Sequence, residues 1–248
     1  MFISGTGGDL RLRPNVFDSP LASHFEILAY DQRGLGQTEK PDIPYTMADY
    51  AADADGLLES VGWNRCHIVG VSFGGMVTQE LAVSCPHRVM KLVLACTSSG
   101  GAGGASYPLH ELSKLPPKER AARLIELEDR RLDKAWQTGN PEQFQDMIHR
   151  RVERSMWDEN ESGRDVGARH QLEARIGHDT YDRLPKLRMP VFICGGRYDG
   201  IAPSRNLQAL HGQIPGSRLE LFEGGHAFLD QDPRAYERII DFLQETSL

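Results

Sequence analysis

Cysteine is scarce, with four in 248 residues, and Cys66, Cys85, Cys96 and Cys194 are too scattered for a CxxC metal site or a disulfide framework. Three of them lie in apolar, strand-like runs, so they are expected to be reduced core thiols. Positive charge is also in deficit: 28 Lys and Arg against 35 Asp and Glu give a net charge of −7. A nucleic-acid partner needs a clustered basic surface, and none appears; the acidic balance speaks mainly for solubility. Long hydrophobic runs are missing too. No apolar stretch approaches the ~20 residues that a membrane span requires. Met1-Phe2-Ile3 passes straight into Ser4-Gly5-Thr6-Gly7-Gly8 without the pattern of a leader peptide. The expectation is a soluble, cytoplasmic protein with no nucleic-acid or membrane partner. No HExxH or comparable His/Asp cluster is present, so neither a metal nor a cofactor is expected.

What remains is ordinary globular composition, 40% hydrophobic and 25% charged, in a chain long enough to bury a sizeable core. Short apolar runs bounded by turn residues alternate with helical periodicity, the pattern of parallel strands joined by crossover helices. Strands are predicted over 26–30, 66–71, 90–96, 191–194 and 218–222. Met47, Tyr50, Ala51, Ala54, Leu57, Leu58 and Val61 keep the spacing of a one-faced helix, with Thr46 and Asp49 placed as its capping box. Tyr236, Ile239, Ile240 and Leu243 repeat that spacing near the C-terminus. Between these parts, Ser98-Ser99-Gly100-Gly101-Ala102-Gly103-Gly104 opens a charged, helix-rich and strand-poor stretch that closes near Pro185 and Pro190. The division implied is a core at 1–98 and 188–248 interrupted by a helical cap at 99–187. Within the cap Trp136, Phe144, Met147, Met156 and Trp157 are candidates for a pocket wall, although apolar residues at helical spacing serve packing more often.

Gly70-Val71-Ser72-Phe73-Gly74-Gly75 fits G-x-S-x-G directly after an apolar strand and before a helix that carries Val77 and Leu81. A serine on so sharp a turn is held in a backbone conformation costing roughly 1 to 3 kcal/mol, which lifts its hydroxyl clear of the sheet. The same turn aims the first free N–H groups of the helix, starting with Phe73, at the place where an oxyanion would form. A serine hydroxyl needs a base, and His226 follows the strand at 218–222 within Glu223-Gly224-Gly225-His226. The base needs a carboxylate to fix its tautomer, and Asp199 ends Gly195-Gly196-Arg197-Tyr198-Asp199. Both emerge at the carboxyl ends of parallel strands, where open α/β sheets build their sites. His24 and His67 flank strand starts, at the opposite end, and His149, His170 and His178 fall in the cap. Asp230 and Asp232 stand where acidic residues more often serve a helix N-terminus. The second oxyanion donor is expected from Ser4-Gly5-Thr6-Gly7-Gly8, as the main-chain N–H of Thr6.

The elbow, the order Ser72, Asp199, His226 and the Gly-rich loop together resemble the α/β-hydrolase superfamily over essentially the whole chain. Asp31-Gln32-Arg33-Gly34-Leu35-Gly36 looks like that family's D-x-R-G-x-G segment, whose role is structural. Within the superfamily, Gly70 to Gly75 and the Gly-Gly-His ending are similar to small bacterial carboxylesterases, 3-oxoadipate enol-lactonases and meta-cleavage-product hydrolases. The resemblance implies an α/β fold, a mostly parallel sheet with helices on both faces and an inserted cap. It also implies cofactor-free hydrolysis of a small ester or lactone, with carbon–carbon bond cleavage or a non-catalytic ligand-binding role as rivals. Three departures stand out. The family's His-Gly in the oxyanion loop is replaced by Ser4-Gly5, which keeps the main-chain donor but loses a side-chain contact. Meta-cleavage hydrolases place Trp after the histidine, where this chain has Ala227. Serine at 72 also speaks against haloalkane dehalogenases and epoxide hydrolases, whose nucleophile is aspartate. Finally, relatives carry two further strands and most of a third before the oxyanion loop, so 26–30 is expected to be a sheet edge able to pair with a second copy of the chain.

Overall fold

The computed structural model describes residues 1–246. Five strands form one sheet, β1 (Phe2–Ile3), β2 (Cys66–Val71), β3 (Val89–Ala95), β4 (Val191–Gly196) and β5 (Arg218–Phe222), in the order β1-β2-β3-β4-β5. Every neighbouring pair is parallel, which requires a crossover connection between each strand and the next. The connections are helical: α1 (Met47–Ser60) precedes β2, α2 (Phe73–Ser84) joins β2 to β3, and α8 (Ser204–Gln213) joins β4 to β5. Between β3 and β4 lie the cap helices α3 (Leu109–Leu112), α4 (Pro117–Glu128), α5 (Lys134–Gly139), α6 (Pro141–Met156) and α7 (Arg164–Ala174). After β5 come α9 (Phe228–Gln231) and α10 (Arg234–Gln244).

Strand side chains alternate between two buried faces, which is why β2 to β4 read as mainly apolar runs. Ile3, Ile68, Leu92, Leu94 and Ile193 pack with Tyr50 and Leu58 of α1, Val77 and Leu81 of α2, and Leu207 and Leu210 of α8. Val69, Val93, Ala95, Phe192 and Cys194 pack on the opposite face with Phe228, Ile239, Phe242 and Leu243. The capping box of α1 forms as the sequence predicts: Asp49 N–H donates to Thr46 Oγ1 at 3.1 Å, and Thr46 N–H donates to the Asp49 carboxylate at 2.9 Å. Among the described residues no helix is long and apolar enough to cross a membrane.

The strand predicted over 26–30 does not form. That segment makes one parallel bridge, Ala29 beside Phe2, and Phe2 N–H donates to the Leu28 carbonyl at 2.9 Å. Its neighbour β1 is two residues long, too short to propagate a ladder outward. The segment still lies on the side of β1 away from β2, at the margin of the sheet. The strand predicted over 90–96 runs one residue earlier, because Cys96 turns to φ 41°. In the cap, α4 and α6 share the apolar cluster of Ala121, Ile125 and Ile148, with Phe144 and Met147 packed against it.

Candidate active site

Ser72 occupies the turn between β2 and α2 at φ 56° and ψ −115°, a region that non-glycine residues rarely adopt and that costs roughly 1 to 3 kcal/mol. The surroundings hold it there. Ser72 N–H donates to the Ala95 carbonyl at 2.8 Å, and Thr97 Oγ1 donates to the Ser72 carbonyl at 2.8 Å. Helix and strand cross so closely that a Cβ at Gly74 would overlap the Ile3 carbonyl, and one at Gly70 would lie 2.6 Å from the Gly74 carbonyl oxygen. Glycine at these two positions is therefore a steric requirement.

The loops after β4 and β5 bring their side chains to the same rim. His226 Nε2 lies 2.9 Å from Ser72 Oγ, and His226 Nδ1 lies 2.7 Å from Asp199 Oδ2. Asp199 is fully buried at its side chain; its other oxygen accepts the N–H groups of Ile201 and Ala202 at 2.7 and 2.9 Å. An ionised carboxylate only accepts, so this network assigns the imidazole proton to Nδ1 and leaves the Nε2 lone pair facing the serine hydroxyl. Cys96 Sγ stands beside the pair, with ligand atoms of Cys96, Asp199 and His226 within 4.8 Å of one another. Burial, reinforced by the Asp199 charge, pushes that thiol well above its ordinary value.

The loop at 4–8 passes beside Ser72: a Cβ on Gly5 would stand 3.3 Å from Ser72 Cβ. Among the described residues neither the Thr6 nor the Phe73 main-chain N–H donates to a protein acceptor. The loop is fixed from both sides by residues that the sequence reading did not single out. Gln32 Nε2 donates to the Ser4 carbonyl at 2.8 Å, and Gly7 N–H donates to Gln171 Oε1 of α7 at 2.9 Å. Asp31 accepts from the N–H groups of Leu10 and Gln37 at 2.8 and 3.0 Å, the structural task expected of it. Asp232 accepts from Glu223 N–H at 3.0 Å and from Arg234, and that arginine holds its carboxyl well below the usual carboxylate range. His178 Nε2 donates to the Ser98 carbonyl at 3.1 Å, and His170 lies against the carboxylates of Asp42 and Glu173, so neither imidazole is bonded to Ser72.

A chamber of about 380 Å³ opens over Ser72 and His226. Its apolar wall is Leu109, Leu112, Leu124, Leu172 and Ile201, with Arg120 and the ion-paired Glu128 and Arg151 among the polar groups. Of the five cap residues predicted as wall candidates, none lines this chamber. Met147 and Trp157 line a second, larger cleft of about 710 Å³ between core and cap, which shares Thr6, Leu124, Glu128 and Arg151 with the chamber. Met156 and Trp157 are 48% and 43% exposed.

The profile of the alpha/beta hydrolase fold matches residues 1–233. The chain is similar to the poly(3-hydroxyalkanoate) depolymerase of Ectopseudomonas oleovorans, 27% identical over an alignment of 262 positions, gaps included, that covers 99% of this chain and 84% of that protein. A hydrolase from Pseudomonas aeruginosa superposes with a TM-score of 0.73 at 26% identity, over 99% of this chain and 89% of that one. The enol-lactonase of Burkholderia xenovorans shares the fold, with a TM-score of 0.74 at 23% identity over 98% of this chain and 90% of that one. With 233 of its 248 residues matched, the chain belongs to the alpha/beta hydrolase fold family.

Proposed function

We propose that the protein is a serine hydrolase that cleaves a small carboxylic ester or lactone through an acyl-enzyme. The observation that carries the reading is the unbroken relay from Asp199 through His226 to Ser72, at 2.7 and 2.9 Å. Ser72 Oγ attacks the carbonyl carbon while His226 Nε2 takes the hydroxyl proton. The negative charge that develops on the carbonyl oxygen is met by the free N–H groups of Thr6 and Phe73. When the tetrahedral adduct collapses, the imidazolium returns that proton to the leaving alcohol, and the acyl group stays on Ser72. Water then attacks the acyl carbon with His226 again as base, and the carboxylic acid leaves as Ser72 regains its proton. For a lactone the alcohol remains tethered and the product is a hydroxy acid.

The leucine-lined chamber of about 380 Å³ suits a short, mainly apolar acyl group. The similarity to a depolymerase of a polyester is in keeping with ester chemistry. Carbon–carbon bond hydrolysis has less support, since Ala227 stands where that subgroup carries tryptophan. A non-catalytic receptor would have no need of a strained serine facing an unprotonated imidazole nitrogen. The test is turnover of short p-nitrophenyl esters, together with labelling by a fluorophosphonate probe. Ser72→Ala is expected to abolish labelling and to lower turnover on the order of 10⁶-fold. A fall of less than about tenfold in purified protein would remove Ser72 from the mechanism.

A further inference from the structure

The C-terminal turn of α4 belongs to the cap by sequence but is hydrogen-bonded to the loops of the core that carry Asp199 and His226. The last four carbonyls of a helix have no partner inside it. Here Leu127 C=O accepts Gly200 N–H at 2.8 Å, and Glu128 C=O accepts the N–H of His226 itself at 2.5 Å. Two residues past the helix, Arg130 N–H donates back to the Tyr198 carbonyl at 2.9 Å. The cap backbone approaches so closely that a Cβ on Gly225 would fall on the Glu128 carbonyl oxygen, and one on Gly200 would lie 2.7 Å from the Leu127 carbonyl oxygen.

Two side-chain links hold this turn in place. Arg151 of α6 meets the Glu128 carboxylate with both terminal nitrogens, one of them at 2.8 Å from Oε1. From the core side, Gln231 Oε1 accepts Gly225 N–H at 2.7 Å while its Nε2 donates to the buried Asp129 carboxylate at 3.2 Å. The backbone of both loops is therefore referenced to residues 127–130, and those residues are referenced to Arg151 and Gln231.

We propose that this turn of the cap is a positioning element for the His226–Asp199 pair, with Arg151 and Gln231 as the positioning residues that seat it, so that the cap completes the site as well as roofing it. The proposal rests on the reading of Ser72, His226 and Asp199 as the reacting groups. It follows that a rigid swing of the whole cap would break three main-chain hydrogen bonds to those loops. Substrate would instead enter along the cleft of about 710 Å³, which already opens beside Glu128 and Arg151.

The experiment uses p-nitrophenyl acetate, a substrate too small to need the far wall, and the rate of fluorophosphonate labelling. Misplacing a catalytic group by about an ångström costs on the order of 10- to 100-fold in rate. Arg151→Met is expected to lower kcat and the labelling rate by at least about tenfold, with KM inside roughly threefold of the parent. The double exchange Arg151→Glu with Glu128→Arg restores the pair with its charges reversed and is expected to recover most of that loss. Gln231→Leu cuts the second link without touching the ion pair and is expected to lower kcat in the same direction. Far-ultraviolet circular dichroism accompanies each variant; should Arg151→Met fail to fold, Gln231→Leu and the double exchange carry the test. Folded variants that keep kcat within about twofold, or a double exchange as impaired as the single variant, would overturn the positioning role. If Ser72→Ala retains turnover, the reading of the site itself has failed; if Ser72→Ala is inactive and Arg151→Met and Gln231→Leu are fully active, only the positioning inference has failed.

Discussion

His226 Nε2 and Ser72 Oγ are 2.9 Å apart although 154 residues of chain separate them. The contact exists because β2 and β5 end at the same rim and because Asp199, buried between them, turns the imidazole. The carboxylate accepts from Nδ1–H and so leaves a lone pair on Nε2. Asp199→Asn keeps the size and can still accept from Ile201 and Ala202 N–H, yet its amide can donate to Nδ1 and so favour the other tautomer. The fold is expected to survive while kcat for an ester falls by about 10³- to 10⁴-fold, as expected when a base is held in the wrong tautomer. Ester kinetics alongside a thermal melt check this; an active, folded variant would contradict it.

Arg120 poses a question of specificity. It stands on α4, lines the chamber over Ser72, and has no ion-pair partner among the described residues. Its neighbours differ: Arg123 is paired with Glu126, and Arg151 with Glu128. An unpaired guanidinium beside leucines gains most from an anionic ligand. An ester whose acyl chain ends in a carboxylate is therefore expected to be preferred over its neutral equivalent of equal length, by roughly tenfold in kcat/KM at low salt. Arg120→Leu should erase the preference through KM, and added salt should weaken it in the parent. Equal kcat/KM for the two esters would count against the assignment.

What the sequence disclosed divides along physical lines. β2, β3 and β4 are buried on both faces over most of their length, so each reads as a mainly apolar run, interrupted by His67 in β2 and Lys91 in β3, with turn residues at its ends, and the elbow is a local motif whose glycines report a local steric demand. The capping box of α1 is local as well. By contrast, β1 is two residues at the mouth of a glycine-rich loop, below the length at which any periodicity can be read. Residues 26–30 have strand-like composition, but whether they join a ladder depends on that neighbour and not on themselves. The chamber wall draws Leu109 from α3, Leu124 from α4 and Leu172 from α7, and which apolar face of a cap helix turns inward is decided by tertiary packing. Arg151 and Glu128, 23 residues apart on different helices, give no signal in the sequence at all.

His178 provides a pH dependence of stability whose sign can be worked out. It is buried, and its Nε2 lies 3.1 Å from the Ser98 carbonyl, which can only accept, so Nε2 carries the proton. Burial lowers its pKa from the ordinary 6.5 to about 4; the Ser98 carbonyl, Glu80 and Asp179 oppose that shift and Arg183 adds to it. The unfolded chain therefore takes up the proton first. The contribution to stability is complete above pH 6.5 and is lost as the pH falls from there towards 4, by up to about 3 kcal/mol. Glu80, held low chiefly by its hydrogen bonds with Arg183, begins to add its own loss only below the ordinary glutamate value of 4.5. His178→Gln keeps a donor for Ser98 but does not titrate in this range, so its urea midpoint should change less between pH 7 and pH 5 than that of the parent. Parallel curves for the two proteins would refute the assignment.

Two glycine-to-alanine changes separate the elbow from an ordinary helix. Gly56 lies inside α1, exposed, and a Cβ there would meet nothing within 4 Å. Alanine at that position restricts the unfolded chain and removes the helix penalty of glycine, so Gly56→Ala is expected to raise stability by about 0.5 to 1 kcal/mol without altering turnover. Gly74 sits in the first turn of α2, where the added methyl would overlap the Ile3 carbonyl and press on the loop that begins at Ser4. The backbone cannot yield there without moving Ser72 or the Thr6 N–H, so Gly74→Ala is expected to cost about 1 to 3 kcal/mol and to slow ester turnover as well. Denaturant midpoints and kcat measured on both variants distinguish the cases: equal effects on stability would mean that the close approach of α2 to the loop is not the constraint argued here.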